Sequence, residues 1–263
     1  MHPMLNIAIR AATKAGELII QKSEDVTDIT IQEKGKNNFV TNVDIQAEKE
    51  ILYHLKKAYP DHAILSEESG NMGNEDSDHL WIIDPLDGTN NFIHGVPHYC
   101  VSIALEVKGR TEVAVIYNPN MNQLFTAARG DGAQLNGKRI RVSNRKNLTG
   151  ALFSAPAHNN KQVFKDSYHD LLKEFKEDIS GFRYSGSLAL DLAYVGAGYY
   201  DAAWTMSSQK WDVAAASLII KEAGGLISEI NGGIDYENTG RIIAGSPKVV
   251  SKVIQKITPH LSE

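Results

Sequence analysis

Trp81-Ile82-Ile83-Asp84-Pro85-Leu86-Asp87-Gly88-Thr89 is the stretch from which the rest of this chain can be read. Leu80 to Ile83 is β-branched or bulky throughout, with polar residues before it and proline after it, which predicts a short buried strand. The carboxylates of Asp84 and Asp87 then fall at the strand end, where irregular backbone can hold them close together. Pro85 restricts Asp84 to extended conformations and fixes its own φ, so the turn is partly set in advance. Neighbouring carboxylates repel unless a positive charge sits between them, and hard divalent cations such as Mg²⁺ accept oxygen ligands of this kind. Gly88 and Thr89 would offer backbone N–H groups at a helix start, a natural place for a phosphate. Taken alone, an Asp-Pro or Asp-Gly pair after a strand is a turn. The remainder of the chain decides between the two.

The 263 residues carry 42% hydrophobic and 22% charged side chains, ordinary for a soluble globular protein and enough for a sizeable core. A net charge of −5 argues against a strong general affinity for nucleic acid or anionic membrane. The start, Met1-His2-Pro3-Met4-Leu5, lacks the basic and apolar segments of a secretory signal, and no apolar stretch approaches membrane-spanning length. A cytoplasmic location is expected. The single cysteine, Cys100, lies in an apolar run and reads as a buried structural thiol.

Apolar residues at Leu5, Ala8, Ile9, Ala12, Ala15 and Ile19 predict an amphipathic helix from Pro3 to about Ser23. Glu33 to Asn38 reads as a polar loop. Thr41-Asn42-Val43-Asp44 resembles a capping box that opens a second helix, whose stripe is Ala47, Ile51, Leu55 and Ala58. Ala63 to Leu65 predicts a strand ending in Ser66-Glu67-Glu68-Ser69, and Asn71 to His79 reads as a surface loop. Tyr99 to Val107, Glu112 to Tyr117 and Gln123 to Ala128 predict an antiparallel meander, followed by an Asn136-Gly137 hairpin. From about Val142 the pattern changes to strands alternating with helices. Strands are expected at Leu152 to Pro156, Phe182 to Tyr184, Asp201 to Trp204 and Gly225 to Glu229, and helices at Val163 to Lys176, Ser187 to Val195 and Asp212 to Ala223. Two halves, 1–142 and 143–263, are expected to form one compact α/β unit, because no low-complexity linker separates them.

Asp44, Glu67, Asp84, Asp87 and Asp212 all fall at element ends, where each alone has an explanation as cap or turn. In order and spacing, Glu67-Glu68-Ser69, Asp84-Pro85-Leu86-Asp87-Gly88-Thr89 and Trp211-Asp212 resemble the signature of the inositol monophosphatase family, and the resemblance is close to its bacterial SuhB-like branch. The resemblance runs from Met1 through Gly245-Ser246-Pro247. It implies a layered αβαβα sandwich and a Mg²⁺-dependent, lithium-inhibited homodimer that hydrolyses small phosphate monoesters. Position by position, it implies a first Mg²⁺ on Glu67, Asp84 and the Leu86 carbonyl, and a second on Asp84, Asp87 and Asp212. It further implies Thr89, paired with Asp44, as the group that orients and helps deprotonate the attacking water, with Glu67 also in the catalytic set. Gly88 and Thr89 N–H groups would hold the phosphate, with Asp87, Gly186, Ser187, Thr205 and Asp212 at the substrate. Lys34 reads as a solvated lysine.

Three departures bear on the substrate. Thr205 stands where the family has a glutamate for the inositol ring, Leu188 where a small residue is common, and Asn90 where a second Thr follows the catalytic one. A neutral Thr205 weakens the expectation for inositol itself, which leaves fructose 1,6-bisphosphate and 3′-phosphonucleotides as alternative substrates. The same branch also implies a second kind of role, as a protein-binding factor in ribosomal RNA transcription antitermination.

Overall fold

The computed structural model describes residues 2–24, 28–35, 38–155 and 172–260. Helix α1 (Pro3–Glu24) and helix α2 (Asn42–Ala58) are joined by a hairpin of β1 (Ile31–Gly35) and β2 (Asn38–Thr41). Within the polar loop expected over 33–38, residues 33–35 and 38 are strand, and 36–37 lie outside the described residues: β1 is exposed along its length, so no burial pattern marked it in the sequence. Thr41 caps α2 through the expected capping box, its hydroxyl accepting from Val43 and Asp44 N–H while the Asp44 carboxylate accepts from Thr41 N–H.

The principal sheet contains β3 (Ala63–Ser66), β4 (Gly70–Met72), β5 (His79–Asp87), β6 (Cys100–Val107), β7 (Arg110–Asn118), β8 (Gln123–Ala128), β9 (Gly132–Leu135) and β10 (Lys138–Arg139). Its order is β10-β9-β8-β7-β6-β5-β3-β4, with β3 parallel to β5 and the run from β5 to β10 an antiparallel meander. Asn136 and Gly137 both have positive φ, 49° and 76°, as a two-residue hairpin turn of the right twist requires. Part of the stretch expected as a loop over 71–79 is strand, since Asn71 and Met72 pair with Leu65 and Ile64. The strand expected to end at Ile83 continues through Pro85 to Asp87, which is possible because Pro85 and Leu86 bulge out of the ladder between Asp84 and Asp87.

The second sheet contains β11 (Leu152–Ser154), β12 (Gly181–Arg183), β13 (Ala202–Thr205), β14 (Leu226–Glu229) and β15 (Ile242–Gly245), in the order β12-β11-β13-β15-β14. Between the sheets lie helices α4 (Leu188–Gly196) and α5 (Lys210–Glu222); a short helix, α3 (Thr89–Ile93), follows β5, and α6 (Tyr236–Thr239) and α7 (Pro247–Ile257) come late in the chain. The sequence reading had not resolved α6, β15 and α7. Of the helix expected over 163–176, only 172–175 are helical within the described residues, and Pro156, expected to close a strand, lies outside them.

Alternation sorts side chains of the large sheet into two cores. Trp81, Ile83, Val101, Ile103, Leu105, Val113 and Val115 face α1 and α2, while Ile82, Ala104, Ala114 and Ile116 face α4 and α5. Small residues on both sides of the second contact, Ala104 and Ala114 against Ala214, Ala215 and Ala216, let α5 lie close on the sheet. Ala203, Ile242 and Ala244 of the second sheet join that central core, and their neighbours Ala202, Trp204 and Ile243 face α7. The layers are therefore helix, sheet, helix, sheet, helix, the expected αβαβα sandwich.

Because Ala114 is fully buried against α5, Ala114→Leu is expected to destabilise the protein by about 1–3 kcal/mol through overpacking. Urea denaturation followed by circular dichroism measures it.

Candidate active site

The buried face of α2 carries two acids one turn apart, Asp44 and Glu48, among Val43, Ala47 and Ile51. Asp44 Oδ2 accepts from Thr41 N–H at 2.9 Å and the Thr41 hydroxyl at 2.5 Å, and Oδ1 accepts from the Thr89 hydroxyl at 2.7 Å. Helix α2 thus holds Thr89, at the start of α3, in place. Burial pushes the Asp44 pKa above the usual carboxylate range, and the Thr41 and Thr89 bonds oppose that. Glu48 accepts from Ser69 N–H at 3.1 Å and from the Ser69 hydroxyl at 2.5 Å, which pins the Glu67-Glu68-Ser69 turn to the same helix. The sequence reading missed Glu48; a charged residue lying on an apolar stripe was the available signal.

Glu67 follows β3 and Asp84 lies in β5, and the two strands run parallel, with Ser66 opposite Ile83 and Glu67 N–H donating to the Ile83 carbonyl at 3.1 Å. Asp84 is buried, and Glu67, Asp87 and Asp212 are half-buried around it. Burial raises the pKa of Glu67 to about 7, and the charges of Glu68, Asp87 and Asp44 add to this while Lys34 opposes it. Burial pushes Asp84 well above the normal range, with Glu67, Asp87 and Asp212 repelling its charge; Asp212 shifts the same way through burial and the charges of Asp87 and Glu67. Burial raises Asp87 too, against bonds from Ser187 and Ala189. The sequence-predicted ligands are therefore neighbours in space.

One oxygen of each aspartate is already engaged. Leu86 N–H donates to Asp84 Oδ1 at 3.0 Å, Gln209 N–H donates to Asp212 Oδ2 at 2.7 Å, and Asp87 Oδ2 accepts from the Ser187 hydroxyl at 2.6 Å and Ala189 N–H at 2.7 Å. The second oxygens have no hydrogen bond among the described residues. The register also leaves Leu86 outside the ladder, because Asp84 pairs with Ser102 and Asp87 with Cys100; its carbonyl oxygen stands 3.1 Å from Thr89 Oγ1, whose single proton goes to Asp44 Oδ1 at the shorter 2.7 Å. Among the described residues no three acidic, His or Cys side chains are already closed around one point. The chemistry of the donor set nevertheless fits Mg²⁺: hard oxygens, an excess of negative charge, and one uncommitted oxygen on each aspartate.

Lys34, expected as a solvated lysine, is exposed on β1 but also ion-paired. It reaches from the β1 hairpin to Glu68 at 2.6 Å and Glu67 at 3.8 Å. Ser187, the residue before α4, bonds Asp87 directly, and Gly186, with φ +88°, precedes it and packs against Asn91. Thr205 is buried and its hydroxyl donates to the Ser207 carbonyl at 2.9 Å, a local turn rather than a group held ready for a ligand. Leu188 packs into the central core. Cys100 is buried, as expected, with its thiol 3.8 Å from Asp87.

The inositol monophosphatase family model matches residues 1–262. The chain is 47% identical over 263 residues to Nus factor SuhB of Escherichia coli (strain K12), covering 100% of this chain and 98% of that protein. Extragenic suppressor protein suhB from Bartonella henselae superposes with a TM-score of 0.95 at 39% identity, over 99% of this chain and 100% of that one. The inositol monophosphatase from Anabaena superposes with a TM-score of 0.87 at 34% identity, over 97% and 95%. No helix among the described residues is long and apolar enough to cross a membrane.

The raised carboxyls set the sign of a pH effect. In chelator-treated protein, Glu67 binds its proton more tightly folded than unfolded, so the stability this contributes is complete below about pH 4.5 and is lost as pH rises through about 7. The melting temperature without divalent metal is expected to fall between pH 5 and 8. Glu67→Gln should flatten that fall, and Mg²⁺ should raise the melting temperature more at pH 8 than at pH 5; differential scanning calorimetry reads all three.

Proposed function

The chain belongs to the inositol monophosphatase family, and from that premise we propose that it is a Mg²⁺-dependent phosphomonoesterase acting on inositol 1-phosphate or related small phosphate monoesters. The observation that carries this reading is the Asp44–Thr89 bond of 2.7 Å set beside the Leu86 carbonyl and the four mutually repelling carboxyls. Mg²⁺, when bound, would lower the pKa of a ligated water and polarise the phosphate. Glu67, Asp84 and the Leu86 carbonyl would hold one ion, and Asp84, Asp87 and Asp212 a second.

The protein's own part is proton handling and positioning. With its hydroxyl proton donated to Asp44 Oδ1, Thr89 keeps lone pairs on Oγ1 to accept a hydrogen bond from the attacking water. The water's proton passes to Thr89 Oγ1 as the Thr89 proton passes to Asp44, which a carboxyl of raised pKa is suited to receive. The first N–H groups of α3 lack intrahelical acceptors, and those of Gly88 and Thr89 would hold the phosphate. A neutral, locally bonded Thr205 in place of a ring-binding carboxylate favours a broad preference among small phosphate esters.

A second role is favoured by the 47% identity to a Nus factor: binding to the transcription antitermination machinery in addition to catalysis. Homodimerisation is also proposed, through a surface where exposed Met121 and Tyr199 flank Tyr194. A cytoplasmic location accords with both roles.

Phosphate release from inositol 1-phosphate, fructose 1,6-bisphosphate, 3′-phosphoadenosine 5′-phosphate and β-glycerophosphate tests the enzyme. Mg²⁺-dependent turnover is expected to fall by about 100-fold or more in Asp87→Asn and in Thr89→Val. Thr205→Glu should lower KM for inositol 1-phosphate but not for β-glycerophosphate. Retained pull-down of antitermination components by Asp87→Asn would separate the two roles, and Tyr199→Asp should shift the solution mass toward a monomer.

A further inference from the structure

Beyond the residues already assigned, a closed ring of hydrogen bonds runs through His98 and Asp191 and ends on Asp87. Asp191 is fully buried on the first turn of α4, one turn after Ser187, and its N–H donates to the Ser187 carbonyl at 3.1 Å. Both of its carboxylate oxygens are occupied. His98 Nε2 donates to Oδ1 at 3.2 Å and the Ser154 hydroxyl donates to Oδ2 at 2.5 Å. A carboxylate with no access to water is tolerable only when its oxygens are satisfied in this way, so the position of α4 relative to His98 is tightly specified.

The backbone of His98 completes the circuit. The Asn91 amide divides its two protons between the His98 carbonyl at 2.6 Å and the Ser185 carbonyl at 2.7 Å, tying the segment after α3 to the loop before α4. Gly186 passes so close to that amide that a Cβ would stand 2.7 Å from Asn91 Nδ2. On the other side, a Cβ on Gly88 would meet the His98 carbonyl at 3.1 Å and Ser187 Cβ at 3.3 Å, so the Asp87–Gly88 backbone packs against both arms of the ring. What the ring delivers is the pair of donors, the Ser187 hydroxyl and Ala189 N–H, that hold Asp87 Oδ2.

We propose that His98 and Asp191 are positioning residues that lock the first turn of α4, so that Ser187 and Ala189 fix one oxygen of Asp87 and aim the other at the metal. The lock itself is a property of the metal-free chain; its consequence for Mg²⁺ rests on the reading given under Proposed function. It accounts for a buried acid that no step of the proposed chemistry uses. It also spans the interval between residues 87 and 191, so it joins parts of the site that come from distant stretches of sequence.

The test compares wild type with His98→Phe, which keeps a ring beside Tyr194 but removes the donor, and His98→Gln, which restores an N–H at similar reach. In chelator-treated protein, residue-level hydrogen exchange at Ala189 and Asp191 is expected to quicken by about tenfold in His98→Phe, with α7 unchanged, and to return toward wild type in His98→Gln. Calorimetric Mg²⁺ affinity should weaken by about tenfold in His98→Phe and recover in His98→Gln. Unchanged exchange in His98→Phe overturns the lock, and quickened exchange with wild-type Mg²⁺ affinity overturns its link to Asp87. Absence of Mg²⁺ binding in wild type would overturn the metal reading instead, while the exchange measurement still decides the lock.

Discussion

Repulsion among buried carboxyls is the constraint on which this molecule turns. Glu67, Asp84 and Asp212 are each shifted upward by burial and by the charges of their neighbours in this set, and Asp87 by burial and the charge of Asp191. Such a cluster opposes folding at neutral pH unless a cation is supplied, and among the described residues the fold brings Lys34 to it, from an exposed strand. A scaffold able to bear that load must hold each acid by bonds that do not neutralise it. Backbone N–H groups do this for Asp84 and Asp212, and N–H plus hydroxyl for Asp87.

The sandwich distributes these supports across its layers. The outer helix α2 contributes Asp44 and Glu48, which steady the turns after β5 and β3; the principal sheet contributes the acids; the inner helices α4 and α5 contribute the donors for Asp87 and the side chain of Asp212. Close approach of α5 to the sheet depends on alanines on both surfaces. Packing and electrostatics are coupled as a result: a change of volume in the central core moves the helix that carries Asp212.

The bulge at Pro85–Leu86 serves both requirements. It interrupts the ladder between Asp84 and Asp87, frees the Leu86 carbonyl from strand pairing, and turns the chain into α3 through Gly88 at φ +104°. A regular strand would have placed Asp84 and Asp87 on opposite faces of the sheet. The irregular one lets both act on the same side, beside Thr89.

Much of the architecture was legible along the chain. Alternation and turn chemistry located the meander and its Asn136-Gly137 hairpin, helical spacing located α1 and α2, and the Thr41 capping box is present as read. The acids were legible too, because each occupies an element end and their motifs resemble a known family. Local sequence reveals such features because they depend on neighbours within a few positions. The exposed β1 strand carried no burial pattern, and Glu48 and Asp191 looked like ordinary helix charges; which of them would be buried, and against which donor, depends on segments 21 to 93 residues away meeting in space. The sequence by itself therefore determined the meander, the first two helices and the set of acids. Only the tertiary structure decided which oxygens are held and which are left open, because that choice is made by hydrogen bonds between distant parts of the chain.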